Sequence, residues 1–162
     1  MKVNYSNQDV IVTKERSIFL AGPTPRSKDI VSWRKEAIRI LEMLEFEGIV
    51  YYPEYDNGKI KESYIDQAVW ERKALQSATC ILFWVDRHLI YLPGFTTNVE
   101  FGYWIAKKGD RVVYGRPDEA PKTKYLDWLY QIEQKKDISN NLEDLVLEAV
   151  ICANEKRQFG MT

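Results

Sequence analysis

One glutamate carries the strongest local signal for chemistry: Glu100, within Phe95-Thr96-Thr97-Asn98-Val99-Glu100-Phe101-Gly102. Thr97 followed three residues later by Glu100 reads as a capping box, which puts the carboxylate in the first turn of a helix. There it sees the positive end of the helix dipole and is expected to stay ionised. An ionised, positioned carboxylate can attack the anomeric carbon of a sugar, although the capping role alone accounts for the same pattern. Glu71 is the second candidate. On a helix expected over 64–78, the spacing Ala68, Glu71, Leu75, Ala78 aligns it with small and apolar residues on the inward face. A buried carboxyl without a basic partner has a raised pKa and suits proton donation; a salt bridge or a side chain reaching the surface is the alternative. Asp66 and Trp70 lie on a neighbouring face, where Asp66 also favours the helix N-terminus.

Asp86 directly follows the most apolar run of the chain, a place for a polar ligand contact or for a turn-starting aspartate. Gly22, Pro23, Thr24 and Arg26 offer backbone amides and a guanidinium after an earlier strand, but without G-x-G-x-x-G or P-loop spacing. Arg26, Lys28 and Arg34 are candidates for holding one phosphate, with solvated charge as the other reading. His88 is the only histidine, and Cys80 and Cys152 are far apart in sequence. A multi-histidine metal site and a histidine–cysteine zinc cluster of familiar spacing are therefore excluded, and a buried free thiol at Cys80 is expected rather than a disulfide framework.

The elements that must position these groups follow from periodicity. Residues 17–21 (SIFLA) read as a strand stopped by Gly22-Pro23-Thr24-Pro25. From Ser32, the residues Trp33, Ala37, Ile38, Leu41 and Leu44 recur at helical spacing, with Arg34, Lys35, Arg39 and Glu42 on the other face. Residues 49–52 read as a strand, 54–61 as a polar loop and 64–78 as a helix. The continuous apolar run 79–85 (TCILFWV) has the pattern of a central parallel strand covered on both faces. A helix over 98–108, a strand over 112–114 and amphipathic segments over 125–132 and 142–151 follow, with Ile138 marking a fifth short strand. This alternation predicts an α/β fold, a doubly wound, flavodoxin-like five-stranded parallel sheet in the order 2-1-3-4-5, helices on both faces. Residues 1–16 are expected to be an N-terminal extension, 17–154 a single domain and 155–162 a C-terminal tail. In such a sheet ligands bind where the winding reverses, so loops 22–28 and 86–98 are the expected site.

Lys plus Arg number 23 and Asp plus Glu 24 among 162 residues, a net charge of −1 that gives no drive toward a nucleic acid polymer or a membrane surface. No segment approaches the length of a membrane span and the N-terminus has no signal-peptide stretch, so a cytoplasmic location is expected. Ten Tyr, six Phe and five Trp hint at a pocket for flat or sugar-like ligands, beyond their use in the core.

The segments SIFLAGPTPR, SWRKEA, DQAVWE leading into ILFWV, TTNVEFG and GRPDEAPKTKYLDWL, in this order, resemble the nucleoside 2-deoxyribosyltransferase family, in particular its deoxyribosyltransferase-like branch of bacteria and phages. The likeness runs over roughly residues 17–150. It implies that Glu100 attacks C1′ of a (deoxy)nucleoside or nucleoside monophosphate, expels the base and forms a covalent glycosyl-enzyme. It also implies that Glu71 is the carboxyl near the leaving base, and that a second base or water completes the reaction. Gly22, Pro23, Thr24, Arg26, Asp66, Trp70, Asp86, Phe95, Thr96, Thr97 and Asn98 are the residues expected around the substrate. No metal or cofactor is required. Two departures stand out: Phe19 and Gly94 occupy positions where the transferases carry a tyrosine and an acid. They leave open a nucleotide-binding module without catalysis, while the scaffold also suits an NAD-type glycohydrolase. The family further implies a homo-oligomer, a dimer or larger, with Tyr125 or Trp128 completing a neighbour's pocket.

Overall fold

The computed structural model describes residues 1–27, 29–57 and 62–159. Lys28, the stretch 58–61 of the expected polar loop and residues 160–162 of the expected tail lie outside the described residues. In chain order the elements are β1 (Lys2–Tyr5), β2 (Ser17–Ala21), α1 (Arg34–Met43), β3 (Ile49–Tyr52), α2 (Tyr64–Ser77), β4 (Cys80–Trp84), α3 (Phe95–Lys108), β5 (Val112–Gly115), α4 (Lys124–Gln134) and α5 (Leu142–Phe159). Every strand pairing is parallel, in the order β1-β3-β2-β4-β5.

The apolar runs become central strands because both of their faces are covered. Ile18 and Leu20 of β2 and Cys80, Leu82 and Trp84 of β4 pack in one cluster with residues of α1 and α5. Phe19 and Ala21, with Ile81 and Phe83, pack in the other with α2, α3 and α4. Burial on both faces requires a continuous apolar sequence rather than an alternating one, and β2 and β4 are buried at all their positions.

The expected order of the strands at 17–21, 49–52, 79–85 and 112–114 holds; the fifth strand is elsewhere. Near Ile138 there is only an isolated parallel bridge between Gly115 and Ser139. The fifth strand is β1, paired with β3 at the opposite edge, so residues 2–5 are part of the sheet. The sequence hides β1 because its central residue is Asn4, a poor strand former. Asn4 is fully buried and accepts from the Ile11 amide (2.9 Å) while donating to the Asp9 carbonyl (3.0 Å), which fixes the return of the chain from the edge.

From β2 the chain moves to β3 on one side and then crosses to β4 on the other. The winding therefore reverses between β2 and β4, where the loops leaving their carboxyl ends part and open a crevice. Those loops are tied together: the Arg26 amide donates to the Tyr91 carbonyl at 3.0 Å. Gly22 makes the closest approach. Its φ is +152°, and a Cβ there would lie 2.2 Å from the Trp84 carbonyl oxygen. Gly22→Ala should lower stability by at least about 2 kcal/mol, through strain and backbone overlap together. Urea unfolding measures this, and a change within error of zero would mean that the two strand ends are free to part.

Candidate active site

The crevice widens into a cavity of about 940 Å³ between α2, α3 and the loop after β2, with Phe19 of β2 also in its wall. Two helices carry the carboxyl groups into it. Helix α2 is capped by Ser63, whose Oγ accepts from the Asp66 amide (3.2 Å), and its stripe of Gln67, Ala68, Glu71 and Leu75 faces the cavity. Helix α3 begins after Gly94, which takes the left-handed conformation at φ +62°, and presents Phe95, Thr96, Thr97, Val99, Glu100, Tyr103 and Trp104.

This start corrects the expected capping box. The helix begins at Phe95, three residues before the predicted Asn98, so Thr97 is inside it and buried, and Glu100 falls in the second turn. The helix dipole acts within the first turn and does not hold Glu100 ionised. Burial dominates instead. Desolvation and the neighbouring Glu71 push the Glu100 carboxyl up to about 8. Glu71 is raised as well, by burial first, against the hydrogen bond donated by Gln67 Nε2 to Glu71 Oε1 (2.8 Å). Both carboxyl groups line the one cavity, close enough for each to act on the other's ionisation. Such a pair holds one proton near neutral pH, because two adjacent desolvated carboxylates repel, and the titration steps belong to the pair.

Arg34 also departs from expectation. The helical pattern put it on the solvated face, and it was a candidate for a phosphate; it is 1% exposed. Its Nε donates to the Leu20 carbonyl (2.9 Å), Nη2 to the Gly22 carbonyl (2.7 Å), and Nη1 to Glu54 Oε2 (2.8 Å), the Pro23 carbonyl (3.4 Å) and Thr24 Oγ1 (3.3 Å). Ser32 Oγ donates to the same Glu54 oxygen at 2.6 Å. The guanidinium is thus committed to the protein, and its charge favours the ionised form of both Glu71 and Glu100.

Of the residues expected around the substrate, Gly22, Pro23, Thr24, Arg26, Phe95, Thr96 and Thr97 line the same cavity as Glu71 and Glu100. Four others do not line it. Asp66 is exposed in the first turn of α2. Trp70 is in the core, its ring 6.4 Å from that of Phe19 and its Nε1 donating to the Gln8 carbonyl (2.9 Å). Asp86 is half-buried after β4. Asn98 faces outward and accepts from Arg87 through Oδ1. Tyr125 and Trp128 are exposed on α4 with ring centroids 5.5 Å apart, and neither lines this cavity.

Gln67, Arg72 and Tyr103 were not anticipated. Gln67 precedes Glu71 by one helical turn, and its Nε2 also reaches the Pro53 carbonyl at 2.8 Å, which fixes the amide that orients Glu71. Tyr103 follows Glu100 by three residues and accepts from Arg72 Nη2 (3.4 Å) and Lys107 Nζ (3.0 Å), cations that lower its phenol pKa. The i, i+3 and i, i+4 spacing around each glutamate was a signal for both residues.

The raised Glu100 pKa makes stability depend on pH. The unfolded carboxyl ionises near its ordinary 4.5, while the folded one keeps its proton to about 8. Across that window the native state binds more protons, so its stability falls as pH rises from about 4.5 to about 8. Glu100→Gln removes this penalty. Its melting temperature relative to the parent should therefore rise between pH 5 and pH 8, and a flat difference would show that the carboxyl is not desolvated.

No curated protein matches the chain closely. A family model described as nucleoside 2-deoxyribosyltransferase like matches residues 15–119, which include β2 to β5, both glutamates and the loops at the reversal of the sheet. That match covers more than half of the sequence and agrees with the five-stranded parallel α/β architecture. The chain belongs to the nucleoside 2-deoxyribosyltransferase-like family.

Proposed function

We propose that the protein cleaves the N-glycosidic bond of a (deoxy)nucleoside or nucleoside monophosphate through a glycosyl ester on Glu100. The observation that carries this reading is the pair of carboxyl groups, Glu71 and Glu100, in the wall of one cavity of about 940 Å³, where burial raises both. One member supplies a nucleophile and the other an acid, the two functions that glycosidic cleavage needs.

As the bond from C1′ to the base nitrogen lengthens, positive charge grows at C1′ and favours the ionised form of Glu100. The shared proton then resides on Glu71. A Glu100 oxygen bonds to C1′, the C1′–N electron pair leaves with the base, and the Glu71 proton neutralises that base. In the second half a free base or water attacks C1′, gives a proton to Glu71 and releases the Glu100 carboxylate. The Arg26 guanidinium and Thr24 at the loop, with Phe95 and Thr96 at the start of α3, are positioned in the cavity wall to contact the nucleoside. The same reading places the protein in the cytoplasm, where nucleosides and free bases are exchanged.

Glu100→Ala should reduce base release from a panel of deoxynucleosides and their monophosphates by about 10³-fold or more, and abolish the sugar adduct seen by intact-protein mass spectrometry. The parent's rate should trace a bell, falling on the alkaline side near pH 8, where the pair loses its second proton. Equal turnover by variant and parent would remove the proposal. Tight binding of an intact nucleotide with no base released would favour a binding module, and nicotinamide released from NAD would favour a dinucleotide glycohydrolase.

Self-association belongs to the same reading. Tyr125, Trp128 and Ile132 leave a continuous apolar stripe exposed on α4, suited to cover a second copy's pocket. Light scattering should give a dimer or larger, and Trp128→Ala should weaken it; a monomer at tens of micromolar would refute the arrangement.

A further inference from the structure

We propose that Arg34 is the positioning residue of the carboxyl pair: it braces the Gly22–Thr24 loop from within and sets a buried positive charge into the wall of the cavity that Glu71 and Glu100 also line. The inference rests on the reading of those glutamates as the reacting pair. Arg34 occupies the first residue of α1, where a cation meets the unfavourable end of the helix dipole, and it is buried there as well. Surface solubility does not account for such a placement.

Its partners indicate what it does. Three are main-chain carbonyls, of Leu20, Gly22 and Pro23, where β2 ends and the chain departs from the sheet. Another is the Thr24 hydroxyl of the same loop. One side chain therefore sets the path of the segment that walls the cavity opposite α2 and α3. Glu54, buried after β3, partly balances the charge, and Ser32 holds Glu54 in place.

The other charged and titratable groups around the cavity are differently placed. Arg26 is exposed on the loop. Arg72 of α2 is turned onto Tyr103 of α3, with its guanidinium carbon 5.5 Å from the ring centroid. Glu62 and Tyr64 stand exposed near the start of α2. Among the described residues Arg34 is the buried cation in the wall of the cavity that Glu71 and Glu100 line, a desolvated position where screening by water and salt is weakest, and its charge acts on both carboxyl groups.

Charge-changing substitutions on the two sides of the Arg34–Glu54 pair must then act in opposite directions. Carbon-13 NMR of glutamate-carboxyl-labelled protein, assigned with Glu71→Gln and Glu100→Gln, reads the second proton loss of the pair without any substrate. Arg34→Met should raise that midpoint by about one pH unit or more. Arg34→Lys, which keeps the charge and loses the fork, should stay within about half a unit of the parent. Glu54→Gln, which leaves the Arg34 charge unbalanced, should lower it, and this variant decides the matter if Arg34→Met does not fold. An unmoved midpoint in Arg34→Met, an equal shift in Arg34→Lys, or an upward shift in Glu54→Gln would overturn the role. Base release by the parent tests the glycosidic reading separately: a protein with these shifts and no turnover keeps the arginine's role and loses the reaction.

Discussion

A buried guanidinium has to find acceptors and a countercharge, and around the crevice most of the local geometry follows from how Arg34 finds them. Several main-chain carbonyls without a sheet partner occur together where a parallel strand ends and its chain turns away. Arg34 reaches that place from the first turn of α1, with its guanidinium carbon 4.9 Å from the centroid of the Trp33 ring. Trp33 Nε1 donates to the Pro23 carbonyl that Arg34 also uses. The start of α1, the loop after β2 and Glu54 beyond β3 are thereby one unit. The wall opposite α2 and α3 is consequently defined before any ligand enters, as a preorganised site requires.

Against that wall stand two carboxyl groups that cannot both ionise cheaply. Burial raises both, the neighbouring Glu71 raises Glu100 further, and Arg34 offsets part of the penalty. Gln67 breaks the symmetry. Its Nε2 donates to Glu71 as well as to the Pro53 carbonyl, which makes Glu71 a firmly held acceptor. Glu100 has the more strongly raised pKa of the two, so within the pair its protonated form is the more favoured.

The parts of this arrangement that apolar patterning governs were legible in the sequence. The runs SIFLA and TCILFWV announce strands covered on both faces, and the position of the sheet reversal follows from the alternation of elements between them. Glu71 was legible too, as a carboxyl on an otherwise small and apolar stripe. What periodicity cannot show is a polar residue buried through its hydrogen bonds. Asn4 concealed the edge strand and Arg34 looked like one more charge on the outer face of α1. The start of α3 was misplaced for a related reason: the Thr97–Glu100 spacing mimics a cap, whereas the turn that begins the helix is made by Gly94 in a left-handed conformation. Moving the start by three residues shifts Glu100 out of the dipole's reach and reverses the expected charge state.

The two departures, Phe19 and Gly94, have a common physical basis in the closeness of the crevice. Phe19 packs on Trp70 and adds an apolar surface, without a hydroxyl, to the wall of the cavity that Glu71 and Glu100 line. Gly94 sits where a Cβ would come within 2.9 Å of Pro23 Cγ. An acid at that position would press on the loop that Arg34 holds, and would add a third negative charge beside a pair already short of compensation. Glycine allows the two loops to meet, where the Arg26 amide donates to the Tyr91 carbonyl.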